Sequence, residues 1–272
     1  ANSFALTGTD ITFQSTNDNI GFVDGATGGI VLADAADLTI STELDAGGGG
    51  NISIAPSLLG TANGDSTTVT LDAGSGTVSL VAVGTDIGAT AITSSAGITL
   101  NGTMTTQGAV TLTGPVSLAT GAVTVNSSGG NGAISFTSTI DGTQALTLSS
   151  GSGAIDIEQI GDGDPAAGVI GVTGIGNSNT TAIDFDGTQY TINGATTVTA
   201  ASGETIDFSG GGATTFTTSA DAITFTGGNI ELLDAADLTI TSANGAVSVA
   251  GVMGTSSEDI TINAGTGTLA IG

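Results

Sequence analysis

Carboxylates are the side chains of this sequence that could do chemistry. The 272 residues include 25 Asp and Glu but no Lys, Arg, His or Cys, and the one tyrosine is Tyr190. Without imidazole, thiol or amine groups, the chain cannot form a Ser-His-Asp or Cys-His triad, nor a zinc site built from His and Cys. What remains is acid–base chemistry by carboxyl groups and the binding of cations through oxygen ligands.

The carboxylates are densest at four places along the chain. These are Asp34 with Asp37, Asp162 with Asp164, Asp184 with Asp186, and Asp234 with Asp237. Ca²⁺ takes oxygen ligands, so the four places predict weak calcium sites. The alternative is that they are solvated turns whose charge keeps the surface soluble. Neither an EF-hand loop nor the calcium-binding nonapeptide is present.

Catalysis by these carboxylates is the least favoured interpretation. A glycosidase needs two carboxyl groups that face each other across a substrate, and Asp184 and Asp186 are the one pair that could share a strand face. An enzyme that acts on polysaccharides would also be expected to use a basic residue, which this chain lacks. We therefore expect no enzymatic activity and no cofactor, with Ca²⁺ as the one exception.

The net charge of −25 limits the partners of the chain. Nucleic acid and anionic membrane surfaces are repelled by it, so neither is expected to bind. No run of 18 apolar residues occurs, which argues against insertion in a membrane. The partners that fit are cations, further copies of the chain or adjoining coils end to end, and cell-surface or polysaccharide ligands.

The elements that must position the carboxylates are short strands. Apolar–polar–apolar triplets recur, as in Leu38-Thr39-Ile40, Val110-Thr111-Leu112 and Ile206-Asp207-Phe208. Such alternation predicts strands with one buried face, and the Gly, Asn and Asp residues between them are typical of tight corners. The predicted interior consists of Val, Ile, Leu and Ala with a few aromatic residues, namely Phe136, Phe185, Phe208, Phe216 and Phe225.

Internal repeats indicate how these strands are arranged. One strand–corner–strand module occurs at residues 68–80 (TVTLDAGSGTVSL), 145–157 (ALTLSSGSGAIDI) and 259–271 (DITINAGTGTLAI). The copies are offset by 77 and 114 residues (145−68 and 259−145), both near multiples of about 19. A second echo joins residues 30–40 (IVLADAADLTI) with residues 230–240 (IELLDAADLTI).

A period of about 20 residues with short strands predicts an all-β fold, a right-handed parallel β-helix or β-solenoid. We expect one continuous domain over residues 1–272, with roughly 13 coils, the three modules on equivalent edges, and no cap at either end. Stacked β-sandwich domains are the alternative, but they need repeats of about 100 residues.

The modules at 68–80, 145–157 and 259–271 resemble the repeat region of filamentous-haemagglutinin-type exoproteins, which are large bacterial adhesins. The resemblance implies a right-handed parallel β-helix at the outer surface of a bacterium, in a stalk or filament.

Three functions follow as expectations. The first is a structural, non-enzymatic shaft of a large secreted adhesin or surface filament. The second is a subunit of an extracellular filament or sheath that assembles end to end. The third is a solenoid that binds polysaccharide or ice.

Overall fold

The computed structural model describes residues 3–23, 28–44, 48–61, 67–163, 170–255 and 257–272. It contains no helix in these ranges, 52% of it is strand, and the strands stack as a β-solenoid of about 10 turns. The predicted fold class is therefore confirmed. The turns are fewer and longer than the roughly 13 coils of about 20 residues that the sequence suggested.

Thirty-one short strands make up the solenoid. They are β1 (Phe4–Leu6), β2 (Asp10–Gln14), β3 (Ile20–Phe22), β4 (Ile30–Leu32), β5 (Asp37–Ser41), β6 (Ile52–Ile54), β7 (Leu58–Gly60), β8 (Thr68–Asp72), β9 (Val78–Leu80), β10 (Ala89–Thr93), β11 (Ile98–Leu100), β12 (Met104–Thr105), β13 (Val110–Thr113), β14 (Val116–Leu118), β15 (Val123–Asn126), β16 (Ile134–Asp141), β17 (Leu146–Ser149), β18 (Ile155–Ile160), β19 (Thr173–Gly176), β20 (Ala182–Phe185), β21 (Gln189–Ile192), β22 (Thr196–Thr199), β23 (Thr205–Phe208), β24 (Gly212–Thr218), β25 (Ile223–Thr226), β26 (Asn229–Leu232), β27 (Ala236–Ser242), β28 (Val247–Val249), β29 (Val252–Gly254), β30 (Ile260–Asn263) and β31 (Leu269–Ile271).

The strands form three faces, and every pairing between strands is parallel. Face 1 consists of β1, β4, β7, β12, β15, β17, β19, β22, β25, β28 and β31, with Val83 bridging β7 to β12. Face 2 consists of β2, β5, β8, β10, β13, β20, β23, β26 and β29, together with the first halves of β16 and β18. Face 3 consists of β3, β6, β9, β11, β14, β21, β24, β27 and β30, together with the ends of β16 and β18.

Alternation within each strand builds the core, as the triplets predict. In β8, Val69 and Leu71 are buried while Thr70 between them is exposed. Side chains of this kind form one hydrophobic cluster that runs from Leu6 to Ala264. The five predicted aromatic residues all lie in it.

Buried hydroxyl groups stabilise many corners. Ser127 Oγ donates a hydrogen bond to the Gly132 carbonyl at 2.6 Å, and Ser150 Oγ donates to the Gly153 carbonyl at 2.6 Å. These bonds satisfy carbonyl groups that the strand ladders leave unpaired inside the corner. They explain why Ser and Thr occur at buried positions directly after strands.

The expectation that the three modules share one edge of the solenoid is wrong. Residues 68–80 run from face 2 to face 3, residues 145–157 from face 1 to face 2, and residues 259–271 from face 3 to face 1. The reason is that the turns are longer than the predicted period and vary in length, on face 1 from 21 residues between Val83 and Met104 to 28 between Ile30 and Leu58. The offsets between the modules therefore do not correspond to whole numbers of turns. The module is a unit of strand, corner and strand that fits any of the three corners.

The repeated DAAD sequence forms a four-residue turn at two different corners. Ala36 N donates to the Ala33 carbonyl at 3.1 Å, and Ala236 N donates to the Leu233 carbonyl at 2.9 Å. The backbone of the two turns differs at the first aspartate: Asp234 is left-handed with a φ of 51°, as is Ala235 with 61°, whereas in the first copy the left-handed residue is Ala35 with 58°. The repeated sequence therefore gives a turn at both places, with two different backbone conformations.

Candidate functional site

Three of the four aspartates of the two DAAD corners accept hydrogen bonds from the next turn, and the fourth, Asp234, is exposed at its corner. Asp37 Oδ1 accepts bonds from Thr68 N at 3.1 Å and from Thr68 Oγ1 at 2.6 Å. Asp237 Oδ1 accepts a bond from Asp259 N at 2.9 Å, and Asp34 accepts one from the Thr61 hydroxyl. These carboxylates fix the spacing between turns, so the structure gives them a positioning role.

The other two predicted calcium sites, Asp162 with Asp164 and Asp184 with Asp186, differ in their surroundings. Asp162 is exposed in the segment after β18, and Asp164 lies outside the described residues. Asp184 and Asp186 are the pair that the structure surrounds with further carboxylates.

A column of carboxylates runs along face 2, at the outward position in the middle of each strand. Register pairs Asp156 of β18 with Asp184 of β20, Asp184 with Asp207 of β23, and Asp207 with Glu231 of β26. We call these four residues the carboxylate ladder. Stacked strands lie about 4.8 Å apart, so four acidic groups follow one another within roughly 14 Å.

Two further acidic residues flank the ladder, Glu158 inside β18 and Asp186 directly after β20. The side chain and the charge of Asp186 both raise the pKa of Asp156. The chain has no basic side chain to offset the charge.

The contacts of Ser209 indicate that Asp184 and Asp186 share a proton. Its Oγ lies 2.8 Å from Asp184 Oδ1 and 2.8 Å from Asp186 Oδ1. A hydroxyl group has a single hydrogen to donate, so the other contact is favourable only when that carboxyl group carries a proton. One proton on this pair therefore satisfies the geometry.

The pKa values of two ladder residues agree with this arrangement. Burial, followed by the bond to Asp186 and its charge, raises the pKa of Asp156 to about 6, with Ser135 acting in the opposite direction. Burial also raises the pKa of Asp184 to about 6; donation from Ser209 lowers it, while the charges of Asp186 and Asp207 raise it. Asp207 Oδ1 is buried and has no hydrogen-bond partner among the described residues.

The ladder does not have the geometry of a metal centre. Within the described ranges, no group of three or more acidic side chains could hold a metal ion. Asp184 and Asp186 also lie side by side and are joined through one hydroxyl group, whereas a glycosidase pair faces across a substrate. What Asp156 and Asp184 of the ladder can do chemically is to bind and release protons near pH 6.

Tyr190, the remaining candidate for chemistry, is a core residue. It is fully buried, its hydroxyl group accepts a bond from Gly187 N at 2.7 Å, and it lies 3.2 Å from the carbonyls of Ile157 and Glu158. Burial raises its pKa above the ordinary value for a tyrosine, so it stays protonated. Its ring packs 4.7 Å from that of Phe185.

Sequence reasoning missed Asp156, Asp207 and Glu231. The signal was present, because Ile155-Asp156-Ile157 and Ile206-Asp207-Phe208 have the same pattern as Ile183-Asp184-Phe185. Their spacings of 28 and 23 residues (184−156 and 207−184) differ, so a fixed period of about 20 does not align them.

A comparison with known protein families, with curated proteins and with solved structures gave no match. Within the described residues, no helix is long and apolar enough to cross a membrane. Fold and site geometry are therefore the grounds for a functional proposal.

Proposed function

We propose that this chain is a structural, non-enzymatic shaft of a large bacterial adhesin or surface filament, located outside the cell. The observation that carries the proposal is the single hydrophobic cluster, which runs from Leu6 to Ala264 through all the turns. A core without a break gives a rod in which each turn supports its neighbours.

The hydrogen bonds of the faces suit a rod of this kind. Each turn offers its backbone groups to the turns before and after it, so parallel pairing continues along all three faces. A force along the rod would therefore be distributed over many equivalent backbone hydrogen bonds between turns. The resemblance of the modules to filamentous-haemagglutinin-type repeats agrees with such a role.

Chemistry supports a passive role as well. The chain has no Lys, Arg, His or Cys, and the carboxylate ladder has neither a cationic partner nor the arrangement of a catalytic pair. Carboxylates on an outer face keep a Thr- and Gly-rich β-surface soluble.

Cell-surface location can be tested with antibodies raised against the purified chain. We expect them to label the outer surface of intact producing cells. On an immunoblot we expect them to detect a polypeptide much longer than 272 residues. Labelling that requires permeabilised cells would contradict the proposal.

A second candidate, a subunit that assembles end to end, is favoured by one observation. Phe4 in the first described turn is 56% exposed, and Leu269 and Ile271 in the last are 50% and 59% exposed. Large apolar side chains with unpaired strand edges invite contact with a second copy or with adjoining coils.

The assembly candidate predicts that the purified chain forms thin filaments at high salt, and that Leu269→Asp with Ile271→Asp abolishes them. Val172→Asp, which changes an exposed apolar residue on the side of the rod, is the matched control. A monomer of 25.7 kDa that persists at high salt would exclude assembly and leave the shaft proposal in place.

Ice binding is the least supported function. The outward column of face 2 begins with Thr12, Thr39 and Thr70, but Ala91 interrupts it and carboxylates replace the hydroxyl groups from Asp156 onward. A flat, unbroken threonine array is therefore not formed on this face.

A further inference from the structure

One corner of the solenoid, between faces 2 and 3, contains a groove. Residues from five successive turns line it, and it encloses about 620 Å³. A smaller groove of about 290 Å³ adjoins it and shares Pro115 with it. The larger volume lies within the range of about 300–1,000 Å³ that is typical of small-molecule sites.

The groove arises because the corner shortens from turn to turn. Ten residues (42–51) connect β5 to β6, five (73–77) connect β8 to β9, four (94–97) connect β10 to β11, and two (114–115) connect β13 to β14. In β16 the corner is only an irregularity of register between Phe136 and Thr139. Since the flanking strands stay in register, the chain crosses between the two faces with fewer residues from one turn to the next.

Gly114 holds the narrowest part of the corner in place. Its φ is +118°, and a Cβ atom there would lie 1.8 Å from the Ser94 carbonyl oxygen. Only glycine fits such a close approach, so the two-residue corner depends on this position.

The walls of the groove carry hydroxyl groups. Thr93 and Thr113 pair in register, and Thr137 follows the register pair of Leu112 and Phe136, so these three threonines stack along the groove. All three are exposed and line the groove together with Ser75 and Ser138. The hydroxyl groups come from four successive turns and extend over roughly 14 Å.

The charge of the lining selects the ligand. Among the described lining residues, Glu43 is the one carboxylate of the larger groove and Asp141 that of the smaller, and the chain has no Lys, Arg or His to hold an anionic ligand. Hydroxyl groups both donate and accept hydrogen bonds, as do those of a sugar. The concave shape is unsuited to a flat ice surface.

We propose that this groove binds a neutral oligosaccharide lying along the axis of the rod, held by the hydroxyl groups of Thr93, Thr113 and Thr137. The ligand is an uncharged, polyhydroxylated chain that spans several turns. The groove contains no aromatic side chain for stacking against sugar rings, so affinity is in the millimolar range. The proposal does not rest on the shaft function, because the groove and its hydroxyl groups are present whatever the rod does. Failure to bind a glycan would in turn leave the shaft proposal intact.

The test is titration of the 272-residue chain with cellohexaose, maltohexaose and xylohexaose. Binding is measured from the change of the backbone amide chemical shifts in NMR spectra as each sugar is added. We expect at least one to bind below about 10 mM and to perturb the amides of residues 93–95 and 113–115. Thr93→Val and Thr113→Val retain a β-branched side chain but lose a hydroxyl group, and each should weaken binding about threefold to tenfold.

Thr147→Val on face 1 is the matched control, because Thr147 is an exposed mid-strand threonine far from this corner, and it should leave binding unchanged. Absence of binding by all three sugars at about 10 mM would overturn the proposal, as would equal weakening by Thr147→Val. A preference for hexagalacturonate, an anionic chain, would also contradict it.

Discussion

The same outward position of face 2 carries hydroxyl groups in the first half of the rod and carboxylates in the second. From Thr12 to Ser135 the position holds Thr, Ala or Ser, and from Asp156 to Glu231 it holds the carboxylate ladder. We call these stretches the hydroxyl half and the carboxylate half. Strand pairing is parallel and in register in both.

The cores of the two halves differ as well. Behind the ladder, Phe185 stacks on Phe208 with ring centroids 4.8 Å apart, and Phe216 lies 5.1 Å from Phe225. In the hydroxyl half the corresponding inward positions of face 2 are aliphatic at Ile40, Leu71, Ile92 and Leu112, and the aromatic residues Phe13 and Phe136 stand only in its first and last turns. The comparison teaches that the backbone pairing sets the fold, while the side chains of each turn adjust local stability and charge.

The largest expected effect is in the aromatic core. Phe208→Ala should lower the free energy of unfolding by about 3–5 kcal/mol, because it leaves a large cavity and removes the ring contacts with Phe185 and Phe225. Leu112→Ala in the hydroxyl half should cost about 2–4 kcal/mol. Urea denaturation with hydrogen exchange measures both, and Phe4→Ala, at a residue 56% exposed, should cost under about 0.5 kcal/mol. A smaller loss for Phe208→Ala than for Leu112→Ala would contradict the comparison.

The second effect is a dependence on pH that is confined to the carboxylate half. The folded-state pKa values of Asp156 and Asp184, about 6, exceed the ordinary aspartate value of 3.8, so between these values the folded chain holds protons that the unfolded chain has released. This contribution to stability is fully present below about pH 4 and is lost as the pH rises through about 6. The protection factors for hydrogen exchange in β18, β20 and β23, which correct for the intrinsic rise of the exchange rate with pH, should fall over that interval.

Overall charge repulsion must be separated from this local effect. At about 1 M NaCl the Debye length is about 3 Å, so long-range repulsion is suppressed while the ladder remains. Strands β5, β8 and β10 have no titratable group at the matching position and should show no parallel change. An equal change in both halves would show that the ladder has no special role.

A smaller effect is expected from removal of one ladder charge. Asp184→Asn should raise stability near pH 7.5 by on the order of 1 kcal/mol or less, since it removes repulsion that solvent partly screens. At pH 4.5 it should change little, because Asp184 is then already neutral. Glu204→Gln, at an exposed corner, is the control and should give no gain that depends on pH. Thermal melting at the two pH values measures this, and a loss of stability at pH 7.5 would contradict the repulsive ladder.

Ions should have the smallest effect that distinguishes the halves. Raising NaCl from about 0.05 M to 0.5 M should increase the melting temperature by screening the charge of −25, and the carboxylate half should gain more protection. Millimolar Ca²⁺ at matched ionic strength should add nothing specific, because the described residues include no cluster of three or more acidic side chains that could hold a metal ion. A clear gain in Ca²⁺ over EDTA would contradict this and support the prediction of weak calcium sites, such as the one at Asp184 and Asp186.

The sequence predicts the local features of this molecule, such as its strands, better than the features that depend on contacts between turns. Triplets such as Leu38-Thr39-Ile40 specify a strand with one buried face, because alternation is a local property. Turn length is not local, since it depends on corners such as residues 42–51 and 114–115 that vary from ten residues to two. The ladder and the groove both depend on which residues stack across turns, so neither could be derived from a fixed period.

Mechanical extension of a single chain tests the central claim, that this is one continuous rod, most directly. The chain has no cysteine, so Thr7→Cys and Thr268→Cys, both exposed, provide unique handles near the two ends of the rod. We expect resistance at every stage and successive releases of roughly one turn, about 24 residues or 80 Å of contour length. Release of a long segment in a single step at negligible force would reveal a weak joint and contradict the account.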